Sequence, residues 1–243
     1  HGHRRRPGPW RARARDDALV ALVVLLVAAL LAGTWWAAGD LEPTWRRAFL
    51  QFVGAPLIGL NVLYNYAAVV RGSPGHPAPL PPGMPAQGAL DGFTFCQLCR
   101  SAKPPDAHHC SSCNRCVVEM DHHCPFVGNC VGRDNLRAFM LFVLYSALGA
   151  AAGSWVALEA LRRHPQVSGP AVPPAFRGST FVYRVFLASA RCAGCWKLRA
   201  TIFVAFVGAA VALWLGILFV LQMRLILQGV SYIQKLKSSA GKG

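Results

Sequence analysis

The sequence predicts an all-α polytopic membrane protein: four transmembrane helices, with a cysteine-rich domain between the second and third that folds around metal. Three observations carry this. The 243 residues are 54% hydrophobic and only 14% charged, against about 25% charged in an average soluble domain. Four apolar runs, uncharged but for Glu159 near the end of the third, are each long enough to cross roughly 30 Å of hydrocarbon as helix. Seven of the nine cysteines crowd between Cys96 and Cys130, interleaved with four histidines.

Taken in order, residues 1–17 form a basic tail with Arg4, Arg5, Arg6, Arg11, Arg13 and Arg15. The chain begins at His1 rather than Met and reads as a fragment or a processed product, with no secretory signal. Residues 18–70 hold transmembrane helices 1 and 2. The first apolar run, 18–38, ends on Trp35 and Trp36, where interfacial aromatics belong. Asp40, Glu42 and Pro43 make a polar turn before the second run, 48–70. Gly54, Pro56, Gly59, Asn61 and Asn65 in that run mark a face that packs on other helices rather than a transport site. Residues 71–92, rich in Pro and Gly, are a linker. Residues 93–137 are the cysteine-rich domain, and 138–161 are transmembrane helix 3. Residues 162–198 form a polar loop, 199–227 transmembrane helix 4 with its apolar stretch at 201–223, and 228–243 a short tail.

Four spans put both termini and the cysteine-rich domain on one side. The basic tail assigns that side to the cytosol, and so do thiols that must stay reduced to bind metal. The 162–198 loop is then lumenal. Its Arg162, Arg163, Arg177, Arg184, Arg191 and Lys197 oppose that orientation. The net charge of +15 fits contact with anionic lipid, at about 1 kcal/mol per basic residue near the surface. No nucleic-acid partner is expected, because the ligand spacing lacks the long recognition helix of finger proteins.

The metal-ligating types run Cys96-x2-Cys99, His109-Cys110-x2-Cys113-x2-Cys116, Asp121-His122-His123-Cys124, Cys130. A Cys-x2-Cys step turns two sulfurs onto one ion, and structural zinc takes four tetrahedral ligands of this kind. Two sites of three cysteines and one histidine consume six cysteines and two histidines. One cysteine and two histidines are left over. Spacing alone does not say which, and a zinc fold used only for binding is an equally good reading at this level. Arg100, Lys103 and Arg115 lie near enough in sequence to offset the thiolate charge. His108 is read as a bystander or a support to its neighbour. Cys192 and Cys195 form a further Cys-x2-Cys. They would be a disulfide if lumenal, but two unpaired interfacial thiols are the preferred reading.

The string Asp121-His122-His123-Cys124-Pro125, with Cys130, Asn135 and Phe139 beyond it, resembles the DHHC family of protein S-acyltransferases, the palmitoyltransferases. The resemblance covers residues 96–139 and extends to the order of spans. It implies two structural zinc ions held in an interleaved way. One takes Cys96, Cys99, His109 and Cys116. The other takes Cys110, Cys113, His123 and Cys130. It implies that Cys124 is the nucleophile, His122 its base and Asp121 the orienting carboxylate. The donor implied is a long-chain acyl-CoA, with palmitoyl expected. The acceptors implied are cytosolic cysteines of membrane-associated proteins, and the location is the Golgi or endoplasmic reticulum rather than the plasma membrane. Two departures stand out. Phe126 replaces the usual Trp after the proline. Ser231, Tyr232 and Gln234 stand where members carry Thr-Thr-x-Glu, so the alternative is a zinc-stabilised membrane scaffold with weak or no transfer activity.

Overall fold

The computed structural model describes residues 9–39, 45–77, 92–169, 171–191, 194–230 and 233–234. Arg4 to Arg6, most of the 71–92 linker, Cys192, Ser231, Tyr232 and the lysines of the tail lie outside the described residues. Four helices are long and apolar enough to cross a membrane, over Ala14–Ala37, Gln51–Arg71, Leu136–Arg163 and Trp196–Leu227.

Helix α1 spans Pro9–Gly39, so it takes in the end of the tail that the sequence set apart at 1–17. Helix α2, Trp45–Phe49, runs through a π-helical turn at Leu50–Gly54 into α3, Ala55–Arg71. Pro56 has no N–H to return to Phe52, four residues back. A widened turn at that point is the usual response of a helix to a missing bond.

The cysteine-rich segment departs from an all-α architecture. It carries three two-stranded antiparallel hairpins: β1, Thr94–Cys96, with β2, Ser101–Lys103; β3, Ala107–Cys110, with β4, Arg115–Val118; and β5, His122–Cys124, with β6, Asn129–Val131. Strands of three or four residues are too short to show an alternating pattern, which is why sequence reading passed over them. Helix α4, Leu136–Arg163, follows. The 162–198 segment is also more ordered than a loop. It holds α5 at Pro165–Ser168, a 3-10 turn at Pro174–Phe176 and the helix α6 at Phe181–Arg191. On α6, Val185 and Ala188 are buried while Val182 and Phe186 are exposed. Helix α7 spans Trp196–Leu227.

The chain divides into two compact units. The first is drawn from the described residues within His1–Val24, Leu63–Phe142 and Phe219–Gly243. Its buried centre is Cys110, Val117, Met120 and Cys130, with Cys113 and Ile233 against them. Half of that cluster is cysteine from the candidate ligand sets, so the hairpins have little apolar surface of their own to fold on. At the turn from β6 to α4, a Cβ on Gly132 would lie 2.5 Å from the Pro74 carbonyl and 2.7 Å from Val117. Asn135 then closes the turn: its amide donates to the Cys130 carbonyl and its Oδ1 accepts from the Gly132 N–H, both at 2.9 Å.

The second unit is drawn from Leu25–Val62 and Val143–Leu218. Its core is Ala37, Ala157, Leu161, Val167, Val185, Leu198 and Val204 with their small neighbours. Helices approach closely here because the contact residues are small. A Cβ on Gly208 would sit 2.6 Å from Ser154 Oγ, and one on Gly153 2.6 Å from Thr34 Oγ1. Cys195 is disulfide-bonded. The preferred reading of 192 and 195 as two unpaired thiols therefore fails at Cys195, and Cys192 lies outside the described residues.

Candidate active site and metal centres

Two groups of donor atoms converge. Cys96, Cys99, His109 and Cys116 form one, and Cys110, Cys113, His123 and Cys130 the other. In each, the four donor atoms lie within 4.8 Å of one another. His109 Nδ1 stands 3.6, 3.2 and 3.9 Å from the sulfurs of Cys96, Cys99 and Cys116. His123 Nδ1 stands 3.4 and 3.7 Å from those of Cys113 and Cys130, whose sulfurs are 3.5 Å apart. A tetrahedral zinc with bonds of about 2.0–2.3 Å requires ligand separations of roughly 3.3–3.8 Å. The donor sets therefore fit the ion that their chemistry calls for. Each quartet takes two sulfurs from the turn of one hairpin, and a histidine and a cysteine from the facing strands of the next, at pairs His109↔Cys116 and His123↔Cys130. Backbone N–H groups of Cys99 and Cys113 donate to the sulfurs of Cys96 and Cys110 at 3.5 and 3.4 Å. Such bonds stabilise thiolate.

Cys124 belongs to neither quartet. It is 8% exposed, at the end of β5. Beside it, His122 Nδ1 lies 2.7 Å from Asp121 Oδ2. The same oxygen accepts a bond from Gln222 Nε2 at 2.8 Å, so the carboxylate is fixed from two sides. A carboxylate accepts only, so Nδ1 of His122 carries hydrogen and Nε2 is left to act as base. Burial by itself pushes the His122 pKa down. Hydrogen bonds to Asp121 and Cys124, and the negative charge of both groups, outweigh it and raise the pKa to about 9.

The tetrad and the turn that follows it are met by one side chain from each long helix. From α1, Asp16 is 5% exposed and its Oδ2 lies 3.0 Å from His123 Nε2. A carboxylate behind a metal-binding imidazole fixes its orientation and raises its basicity. His109 Nε2, by contrast, is buried with no hydrogen-bond partner among the described residues. From α3, Tyr66 donates to the Phe126 carbonyl at 2.9 Å, and the Val69 carbonyl accepts from Asn129 at 2.9 Å. From α4, Phe139 meets His122 edge to face at 5.4 Å. From α7 comes Gln222.

Comparison with known sequences agrees with this geometry. Residues 90–239 match the family model described as DHHC palmitoyltransferase. The chain belongs to the DHHC palmitoyltransferase family. Among curated proteins, it is 34% identical over 169 residues to "Palmitoyltransferase pfa3" of Emericella nidulans, a match covering 60% of this chain and 33% of that one. It is 34% identical over 145 residues to "Probable protein S-acyltransferase 12" of Arabidopsis thaliana, covering 54% and 50%. Over 53 residues, 22% of this chain and 18% of the other, it is 58% identical to "Palmitoyltransferase ZDHHC3" of Homo sapiens. The matches span about a third to a half of the length of these longer-matching relatives.

Of the residues named from sequence, the structure brings eight Cys and His together in two quartets, sets His122 between Asp121 and Phe139, and places Asn135 at the turn after β6. Sequence reading passed over Asp16, Tyr66, Asn129 and Gln222. Asp16 sat in a tail read for its arginines, and Gln222 was one polar residue in an apolar run. An amide or carboxylate at the end of a membrane span was the available signal, since such groups need partners. Gln234, read as part of a degenerate motif, donates to Asp106 Oδ1 at 3.2 Å, and Ile233 packs on the hairpin core. Residues 233 and 234 are thus tied to the cysteine-rich domain despite the substitutions.

Proposed function

We propose that this chain is a protein S-acyltransferase that takes a long-chain acyl group, palmitoyl foremost, from acyl-CoA to protein cysteines through an acyl-Cys124 intermediate. The observation that carries the reading is the division of labour around residue 124. Eight side chains converge in two quartets, and the remaining thiol lies beside an imidazole whose tautomer Asp121 and Gln222 set. His122 takes the proton of the Cys124 thiol. The sulfur attacks the thioester carbonyl, the C–S bond to CoA breaks, and the leaving CoA thiolate takes up a proton. An acceptor cysteine then attacks the acyl-Cys124 carbonyl with His122 again receiving the proton, and the Cys124 sulfur leaves. One thioester is exchanged for another in each step, so no outside energy source is needed. Burial of the acyl chain, at about 0.8 kcal/mol per methylene, favours long chains over acetyl.

In this reading the two zinc ions are structural and hold the hairpins. His123 and His109 are ligands through Nδ1 and do no proton transfer. The hairpin segment and both termini are cytosolic, and the protein resides in the endomembrane system. Seven free thiols among the described residues suit a reducing side. A disulfide at Cys195, in the segment assigned to the lumen, suits an oxidising one. Acceptors are membrane-associated proteins with cytosolic cysteines near the bilayer surface.

The test is incubation of the full chain with an alkyne-tagged palmitoyl-CoA, read by intact mass with and without hydroxylamine. Wild type should gain one hydroxylamine-labile acyl group and Cys124→Ser none. Equal labelling of both would end the assignment.

A further inference from the structure

The three hairpins are one unit repeated at a shift of 14 residues. Cys96 pairs with Ser101, Cys110 with Arg115 and Cys124 with Asn129, the same register each time. Each turn closes on a left-handed residue at the same place, Arg100 with φ 51°, Asn114 with φ 52° and Gly128 with φ 59°. Cys124 therefore stands where Cys96 and Cys110 stand, on the last strand residue before the turn.

In the first two turns a second thiol follows three residues on, Cys99 and Cys113, and its backbone N–H donates to the first sulfur. In the third turn that place is held by Val127, which is 1% exposed. Its N–H donates to the Cys124 carbonyl instead, at 3.3 Å. The other half of each quartet comes from the next hairpin, as His109 with Cys116 and then His123 with Cys130. A further shift of 14 leads to Arg137 and Leu144 in α4, neither of which ligates metal.

We propose that the nucleophile sits in a metal-binding turn that lacks its second thiol, and that Val127 is the residue that keeps the Cys124 sulfur free of metal. A single sulfur holds zinc poorly, whereas two sulfurs from one turn with an adjacent imidazole make a three-ligand site of the open, water-bearing kind. His122, two residues before Cys124 on the same strand, is that imidazole. One thiol at position 127 is thus all that separates the third turn from a metal site. The word nucleophile rests on the acyl-transfer reading above, but the metal count does not.

The experiment uses the full chain in nanodiscs with Zn²⁺ as the probe, comparing wild type with Val127→Cys, Val127→Thr and Val127→Ala. Zinc per chain is measured by elemental analysis, and alkylation of Cys124 by peptide mass. Wild type, Val127→Thr and Val127→Ala should hold two ions, one per quartet, with Cys124 alkylated. Val127→Cys should hold three, lose alkylation at Cys124, and recover it under a mild chelator that leaves the other two ions in place. If Val127→Cys does not fold, Val127→His carries the same test with an imidazole as the second ligand. Two ions and a fully reactive Cys124 in the ligand-bearing variant would overturn the proposal. So would a third ion in Val127→Ala, since the block would then be bulk and not a missing ligand. A rise from two to three ions in a chain whose wild type never takes up acyl groups would leave this proposal standing and remove the enzyme reading.

Discussion

Asp121 Oδ2 accepts two hydrogen bonds, from His122 and from Gln222, and that shared oxygen is where the chemistry is most exposed to single changes. Gln222→Leu keeps the volume of the buried side chain and removes one donor from a carboxylate. A hydrogen bond to a charged group is worth about 1.5–3 kcal/mol. The expected outcome is a fall of roughly 10- to 100-fold in the rate of Cys124 acylation, with zinc content unchanged, measured by stopped acyl-CoA labelling. A purely structural role would instead lower the unfolding temperature and leave the rate alone. The Asp-His-His-Cys string named three of the participants from sequence. Gln222 lies 101 residues away from Asp121, and no local pattern pairs them.

The hairpins depend on a close approach at Gly132, where a side chain would strike the Pro74 carbonyl and Val117. Gly132→Ala is expected to cost about 1–3 kcal/mol through overpacking and to loosen the second quartet through its neighbours Val131 and Cys130. Zinc release to a chromogenic chelator should be faster than in wild type, and faster from one of the two sites than the other. At this scale sequence reading placed the four long helices to within a few residues at most ends and did less well between them. The helix of residues 181–191 was read as part of a polar loop. It buries Val185 and Ala188 all the same. The hairpins escaped because their strands are held by metal-ligand convergence rather than by an alternating apolar face.

Over the whole molecule, stability is divided between apolar helices and a hairpin segment half of whose core is candidate-ligand cysteine. Removing zinc should therefore act on one part only. With a strong chelator, helix content by circular dichroism is expected to change little, while the number of thiols open to maleimide rises toward the seven free cysteines. Metal binding is folding free energy for a segment of this kind. Loss of the far-ultraviolet helical signal in step with zinc release would show that the helices, too, depend on the metal.

Length and hydropathy determined the four spans, because a bilayer needs about 20 apolar residues per helix and little else. The order of cysteines and histidines pointed to two sites able to hold metal, because thiolate and imidazole in paired turns have few other uses. Spacing left open how the eight donors divide and which thiol stays out, and the family resemblance implied one division; the tertiary structure shows that division converging, and it alone revealed the distant groups around the tetrad. Those outcomes depend on the register of three hairpins and on Asp16 and Gln222, whose roles arise from proximity in space that residues far apart in the chain acquire only on folding.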